Sequence, residues 1–424
     1  MVASGHGSGQ TGPTPKGWKW WMKWGTIALL FIGLAWGSLR VAGAVGHALG
    51  RSGSASGTSL ARQGGRTTIR RARRFSLEYR EDCKILRVNQ PWQGATQGFT
   101  YQLIPRGSHP KHLEPGALLV EIPVKRIVLL ASTHLPDFVT LDRIGSVVGI
   151  AGGRQVCTQV FIERLQSGQV QEIADSISGR EKHLNYDRLF TLKPDLVFVT
   201  GTGNPTLDHQ EKLTEAGFQV ALCADSMENE PLGRAEWIKF IAAFLDLDEK
   251  AEAHFAGLET RYETQKALAC RATHHPTVLC GMNARGTWFA PGGGSYVATY
   301  IRDAGADYVL GDDPRPGYRP VKIDTVLDRA KNAEFWMLHM TDSSLSSLQN
   351  LKDIDPRCTL FRAFRESKVF NTNARLGPRG GSDYWENGSA NPDLVLADLI
   401  SIFHPELKPG HTLQWHLWLS NGGH

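Results

Sequence analysis

Ser132-Thr133-His134 brings two hydroxyls and an imidazole together between an apolar run, Arg126 to Ala131, and a helical pattern from about Leu135 to Ile144. At the carboxyl end of a buried strand, with helix N-terminal amides behind it, such a trio suits an anionic or carbonyl-rich ligand. The same hydroxyls also make ordinary helix caps. Gly201-Thr202-Gly203-Asn204 follows a second apolar run, Leu196 to Thr200, and offers close backbone approach beside the Asn204 amide. It is not a dinucleotide fingerprint, and a plain loop accounts for it equally. Further on, Gly286 to Tyr296 carries Trp288 and Tyr296, whose rings give stiff, flat faces for a macrocycle or a catechol. Trp288 has a core alternative beneath the loop. Gly292 to Ser295 lacks the Lys-Ser or Lys-Thr of a phosphate loop. Finally, Arg375 and Arg379 can grip carboxylate or catecholate oxygens through paired N–H donors, with Tyr384 and Trp385 beside them. Alternatively Arg379 pairs with Asp383 or Glu386 in a structural loop.

No catalytic residue stands out, and no spaced acid–base pair appears. The fifteen histidines form no HExxH or HxH pattern, and the six cysteines show no CxxC spacing, so no resident metal is expected. Cys270–Cys280 is the nearest pair for a disulfide; buried free thiols are the default for most of the six.

The elements that must position these residues alternate strand and helix in two series. The first has strands at Arg126–Ala131, Val147–Ile150, Leu196–Thr200 and Phe218–Leu222, with helices at Tyr186–Thr191 and Gln210–Ala216. The second has strands at Thr277–Cys280, Phe335–Leu338 and Lys368–Phe370, with helices at Tyr296–Ala304, Ile323–Lys331 and Asp393–Phe403. Between the series, a helical pattern of roughly forty residues opens at Pro231 and reaches about Ala272. Lobe, long helix, lobe leaves a cleft that moves little, which points to a receptor for a small ligand before an enzyme. Ahead of the first series, Lys84–Val88 and Phe99–Ile104 alternate as short antiparallel strands.

Residues 1–80 carry twelve Lys or Arg and one acid, Glu78, whereas the rest holds 35 basic and 41 acidic side chains. A basic front end on a mildly acidic body excludes a nucleic-acid binder. Lys16, Lys19 and Lys23 sit among Trp18, Trp20, Trp21 and Trp24, before the twelve-residue apolar core Thr26–Gly37 and the small residues Ala42-Gly43-Ala44. That is an export leader, cleaved or kept as an anchor over residues 18–39. No Cys follows the apolar core, which speaks against lipid attachment. The expected organisation is a signal peptide or anchor (1–44), a flexible basic linker (45–75), an N-terminal lobe (76–245), a connecting helix (246–272), a C-terminal lobe (273–410) and a tail (411–424). The Arg70 to Arg74 cluster reads as solvated linker, with lipid headgroups as its alternative partner.

Several of these stretches, in this order, resemble the periplasmic solute-binding proteins of ABC importers for iron–siderophore complexes and cobalamin, over about residues 76–410. They are Lys125-Arg126-Ile127-Val128, Val147-Val148-Gly149-Ile150, Leu192 to Val197, Pro231 to Phe240, Gly294 to Ala298, Asp303 to Asp307, Arg379 to Glu386 and Asn391 to Val395. The resemblance implies an α/β fold of two Rossmann-like lobes joined by one long backbone helix, with delivery to a membrane permease and its ATPase. It also implies a docking Glu on each lobe. Here Asp137 stands in the corresponding stretch of the first lobe, and Tyr296 to Tyr300 offers no carboxylate in the second.

The expected function is extracytoplasmic, non-enzymatic capture of a ferric siderophore, with no cofactor and with iron only inside the bound chelate. A monomer is expected. Its contacts would be Ser132, Thr133, His134 and Asn204 on one side and Trp288, Tyr296, Arg375, Arg379, Tyr384 and Trp385 on the other. Cobalamin or haem is the alternative cargo. A two-lobed tetrapyrrole metal-inserting enzyme and a membrane-tethered sensor are the alternatives of other classes.

Overall fold

The structure is a computed structural model that describes residues 65–420 apart from 179–180, 202–204, 285 and 341–344. The leader and Asn204 lie outside the described residues. Among the described residues no helix is long and apolar enough to cross a membrane.

A four-stranded sheet comes first, in the order β1 (Phe75–Tyr79), β2 (Lys84–Val88), β3 (Phe99–Pro105), β4 (Leu118–Ile122). The first lobe follows. Its strands β5 (Ile127–Leu129), β6 (Val147–Ile150) and β7 (Gln171–Glu172) precede a hairpin of β8 (Ala174–Ser178) and β9 (Glu181–Leu184), then β10 (Leu196–Thr200) and β11 (Val220–Cys223). The lobe's sheet runs β11-β10-β5-β6-β7, parallel throughout. Its central strands are continuous apolar runs because helices cover both faces. The chain leaves β5 toward β6 on one side and returns to β10 on the other. The loops after β5 and β10 therefore flank the point where strand order reverses, the usual ligand crevice of an open parallel sheet.

In the second lobe β12 (Thr277–Cys280) is followed by β13 (Met282–Ala284), β14 (Thr287–Pro291), β15 (Asp307–Tyr308), β16 (Tyr318–Val321), β17 (Phe335–Met337), β18 (Val369–Asn371) and β19 (Leu417–Trp418). Its main sheet is β15-β12-β17-β18-β19, parallel except for the last strand, and β13-β14-β16 form a separate antiparallel sheet. Two mixed α/β lobes are thus built around parallel sheets.

The forty-residue helical pattern resolves into three helices: Pro231–Ala235, Ile238–Leu245 and Asp248–Ala269. The second break falls at Asp246, which adopts a left-handed conformation (φ 56°) and donates its N–H to the Ala242 carbonyl. No Gly or Pro marks the break, because Asp246 itself takes the left-handed conformation, so the interruption does not show in the sequence. The break is not loose. Lys84 on β2, buried, bridges Asp246 at 2.6 Å and Asp248 at 2.5 Å, and Tyr79 donates its hydroxyl to Asp248 at 2.9 Å. The final helix has 22 residues and spans about 33 Å.

These helices stitch the lobes together. Leu232 and Ala235 belong to the second lobe's core, Trp237 to Leu245 to the first lobe's, and Phe255, Leu258 and Tyr262 to the second's again. The polypeptide therefore crosses the divide before the long connecting helix crosses it once more.

Two expectations are corrected. Residues 65–75 are not a free linker: they lie against the helices as a strap. The buried Glu236 carboxylate accepts the amides of Arg70 (3.0 Å), Arg71 (2.6 Å) and Ala72 (2.8 Å), and Glu228 accepts those of Arg73 (3.0 Å) and Arg74 (2.9 Å). The guanidinium of Arg70 pairs with Glu252 at 2.6 Å and that of Arg71 with Glu259 at 2.6 Å and Glu263 at 2.7 Å, in place of solvent or lipid. Composition alone hides this, because the partners are some 150 residues and more away in sequence. Nor are residues 411–420 a tail. β19 completes the second sheet, and Asp398 on the closing helix (Pro392–Phe403) accepts from His411 (2.8 Å), His416 (3.0 Å) and the amide of Trp415 (3.0 Å). All six cysteines are free thiols: Cys270 is exposed, whereas Cys280 is buried in β12.

Candidate functional site

In the second lobe, next to the turn that meets the first, lies an aromatic cage built around one histidine. His339 follows β17, is buried, and holds φ at 55°, a left-handed geometry that few non-glycine residues adopt. Its Nδ1 meets the Tyr318 hydroxyl and its Nε2 lies 3.0 Å from the Tyr384 hydroxyl. The Tyr318 ring stacks on the imidazole (interplanar angle 17°), while Tyr296, Tyr384 and Trp385 meet it edge-on at 6.0, 5.2 and 4.9 Å. Burial, helped by the nearby Arg234 charge, pushes the His339 imidazole down to about 3. It is neutral at any working pH, so it orients the two hydroxyls without adding charge.

The positive charge comes from Arg234, on the short Pro231–Ala235 helix between the lobes. Its guanidinium sits 4.5 Å over the Tyr296 ring and 3.3 Å from Asp225. The buried Nε of Arg234 and the buried indole N–H of Trp385 find no hydrogen-bond partner among the described residues. Two donors without acceptors in an aromatic, water-poor crevice are costly unless a ligand oxygen completes them.

Beside the cage is a cavity of about 160 Å³. Tyr296, Tyr318 and Ser295 line it from the second lobe, Ser226 to Glu228 from the loop after β11, and Gln90, Trp92 and Gln93 from the β2–β3 loop. Pockets that enclose a drug-sized ligand usually measure about 300–1,000 Å³, so a bulky cargo requires the lobes to part.

A polar contact holds the lobes near each other. Glu386, buried in a π-helical turn (Tyr384–Gly388) of the second lobe, accepts the amides of Cys157 (3.1 Å) and Thr158 (2.7 Å) and the Thr158 hydroxyl (2.6 Å). These groups open the first-lobe helix Gln159–Gln166 and would otherwise be orphan donors. The Ser132 hydroxyl also donates to Glu386. Gly381 abuts the Gln155 carbonyl, where a Cβ would collide, so no larger residue fits this contact.

The residues expected from sequence separate into groups. Tyr296, Tyr384 and Trp385 meet at the cage. Ser132 reaches the divide but serves the Glu386 contact, and His134, buried, opens the Leu135–Thr140 helix with half-buried Thr133 next to it. Trp288 is corrected to core: its ring packs 5.3 Å from Trp336 and its N–H donates to the Cys280 carbonyl at 3.2 Å. The segment expected as a loop there is strand β14, paired to β16, which turns the indole inward. Arg375 is exposed and bonds Asp383 at 3.3 Å, and Arg379 is exposed at a loop tip with no ion pair among the described residues. Neither reaches the cage. Asp137 is half-buried beside Asp225 and Cys223; burial and the Asp225 charge hold its carboxyl well above the usual range. That setting does not suit docking on a permease arginine.

Sequence reasoning missed His339, Arg234 and Tyr318. His339 lies just past β17, the C-terminal end of a parallel strand, which was the available signal. Among the described residues no three His, Cys, Asp or Glu side chains converge as a metal-binding group.

Comparison with known proteins agrees with this architecture. The sequence profile of a family described as periplasmic binding protein matches residues 164–376. Two uncharacterized lipoproteins of Methanocaldococcus jannaschii are each 27% identical, over 311 residues (70% of this chain and 70% of the relative) and 303 residues (69% and 73%). Among solved structures, the periplasmic heme-binding protein RhuT of Roseiflexus sp. RS-1 superposes with a TM-score of 0.51 at 19% identity, covering 67% of this chain and all of that one. A periplasmic heme-binding protein of Pseudomonas aeruginosa gives 0.51 at 21% identity, covering 70% of this chain and all of the other. Helicobacter pylori CeuE gives 0.51 at 16%, covering 69% and 86%. With its fold, its inter-lobe crevice and the profile match in agreement, this chain belongs to the periplasmic binding protein family, the extracytoplasmic substrate-binding proteins of ABC importers.

Proposed function

We propose that the protein captures a bulky, anionic metal chelate, a ferric siderophore in the first instance, between its lobes and hands it to a membrane permease. The observation that carries this reading is Arg234. A guanidinium held between the lobes, above a tyrosine ring and with its Nε unpartnered, is a built recognition point for an anionic oxygen. The surrounding rings of Tyr296, Tyr384 and Trp385 supply flat apolar surface for the cargo's organic part. In this reading iron enters only inside the cargo, and no covalent step is needed. The connecting helix limits the opening, because bending a helix breaks its hydrogen-bond ladder.

The test is a fluorescence titration of the purified protein against ferric siderophores, haem and cobalamin. Quenching by one class at micromolar or lower concentration names the cargo class. Quenching by none of them overturns the reading. Native mass spectrometry of protein from its own cells provides an independent readout, since a retained cargo reveals itself by mass.

A further inference from the structure

We infer that the N-terminal sheet is part of the binding site, with Trp92 on its β2–β3 loop serving as a specificity-determining face for a flat aromatic or conjugated group of the cargo. This inference rests on the capture reading above and deepens it. The cavity beside the cage has three walls, and the third belongs to neither lobe: Gln90, Trp92 and Gln93 come from the loop joining β2 to β3. The loop is held over the crevice. The Pro91 carbonyl lies against Gly201, directly past the carboxyl end of β10, where a Cβ would come within 3.1 Å of it. Gln90 accepts the guanidinium of Arg74 at 2.7 Å, and the Asn89 amide donates to the Arg74 carbonyl at 2.7 Å. Arg74 is itself fixed by Glu228, another lining residue, through its amide at 2.9 Å.

Trp92 is half-buried and touches the Phe99 ring at 6.2 Å, so its packing is not complete. Tyr296 and Tyr318 line the opposite wall. A slot with an indole on one side and phenol rings on the other favours planar, polarisable groups, which gain stacking energy that an aliphatic group of equal area does not. Ligand selection would then depend on a segment outside the two lobes. The same loop is tied through Arg74 to the strap that leads toward the N-terminal segment.

The experiment titrates the full chain with haemin, ferric 2,3-dihydroxybenzoate and cyanocobalamin in the wild type, Trp92→Ala, Trp92→Phe and Leu113→Ala. Leu113 is an exposed residue of the same sheet module away from the cavity. The expected result is a tenfold or greater loss of affinity in Trp92→Ala for the probe the wild type binds, with Trp92→Phe and Leu113→Ala within threefold of wild type. Should Trp92→Ala fail to fold, Gln93→Arg, at an exposed loop position, is expected to shift the same affinity at least fivefold. Wild-type affinity in Trp92→Ala, or in Gln93→Arg where Trp92→Ala does not fold, overturns the inference. Absence of binding by all three probes to the wild type also overturns it. Native mass spectrometry separates the two readings: a cargo retained equally by wild type and Trp92→Ala leaves capture standing and removes the role of Trp92. Neither cargo nor probe binding removes both.

Discussion

The carboxylate of Glu386 in the second lobe accepts the amide of Thr158 in the first at 2.7 Å, and so one lobe caps a helix of the other. Helix capping is normally local. Here it is one of the bonds that parting the lobes must break, with those of Asn387 to Thr158 and of Cys157 to Gly381, and the freed amides must then find water.

Replacing Glu386 with Ala leaves the amides of Cys157 and Thr158 without their acceptor. The expected cost is about 1–3 kcal/mol, the usual penalty for an orphaned buried group. Hydrogen exchange should speed up at Cys157 and Thr158 specifically, with the β10 and β17 amides unchanged. Unaltered protection at those two amides would show that the contact does not hold the lobes.

Arg234→Lys keeps the charge but loses the planar fork over Tyr296. Affinity for an anionic chelate should fall at least tenfold, and Arg234→Ala should fall further, with some loss of melting temperature from the broken Asp225 pair. Titration of both variants against the best ligand of the wild type checks this.

Asp137 gives a pH signature. Burial and the Asp225 carboxylate raise its folded value well above the ordinary 3.8, so the folded chain keeps a proton that the unfolded chain has lost. Stability carries no penalty below about pH 4 and declines as pH rises through the folded value. Asp137→Asn, neutral throughout, should raise the melting temperature at pH 7 and give no gain near pH 3.5. Thermal melts across that range decide it.

Asp398 behaves in the opposite sense. Burial alone would raise its carboxyl, but hydrogen bonds and charge from His416, with further bonds from Trp415 and His411, hold it at about 2. The stabilisation is present above the unfolded value near 4 and is lost as pH falls toward 2. Asp398→Asn should cost about 2 kcal/mol at pH 7 and release the segment that ends in β19. Denaturant unfolding at pH 7 and pH 3 should show the difference shrinking in acid.

Much of the architecture was legible in the residues. Strands such as Val147–Ile150 and Thr277–Cys280 stand where apolar runs placed them, because buried parallel strands tolerate little else. The break at Asp246 was not legible, since an aspartate and not a glycine takes the left-handed position there and helix-forming residues run on both sides. At the candidate site, Tyr296, Tyr384 and Trp385, expected from different segments, do lie together around His339. Trp288 misled because a strand pairing, invisible in one segment, decides which way an indole turns. Arg234 was hidden inside a run read only as helix, and His339 becomes notable only once four rings from distant segments surround it.

The strap carries a practical consequence for where the folded body begins. Glu236 and Lys239 are both fully enclosed, and the Lys239 ammonium donates at 2.7 Å to the Thr68 carbonyl and at 2.8 Å to Glu236. A recombinant fragment trimmed to start at β1 would discard Thr68 and the three amides on Glu236, leaving Glu236 only Lys239 and Lys239 only Glu236 and Glu252 as partners. The natural cut site for crystallisation or assay lies upstream of residue 65, although composition invites trimming ten residues later.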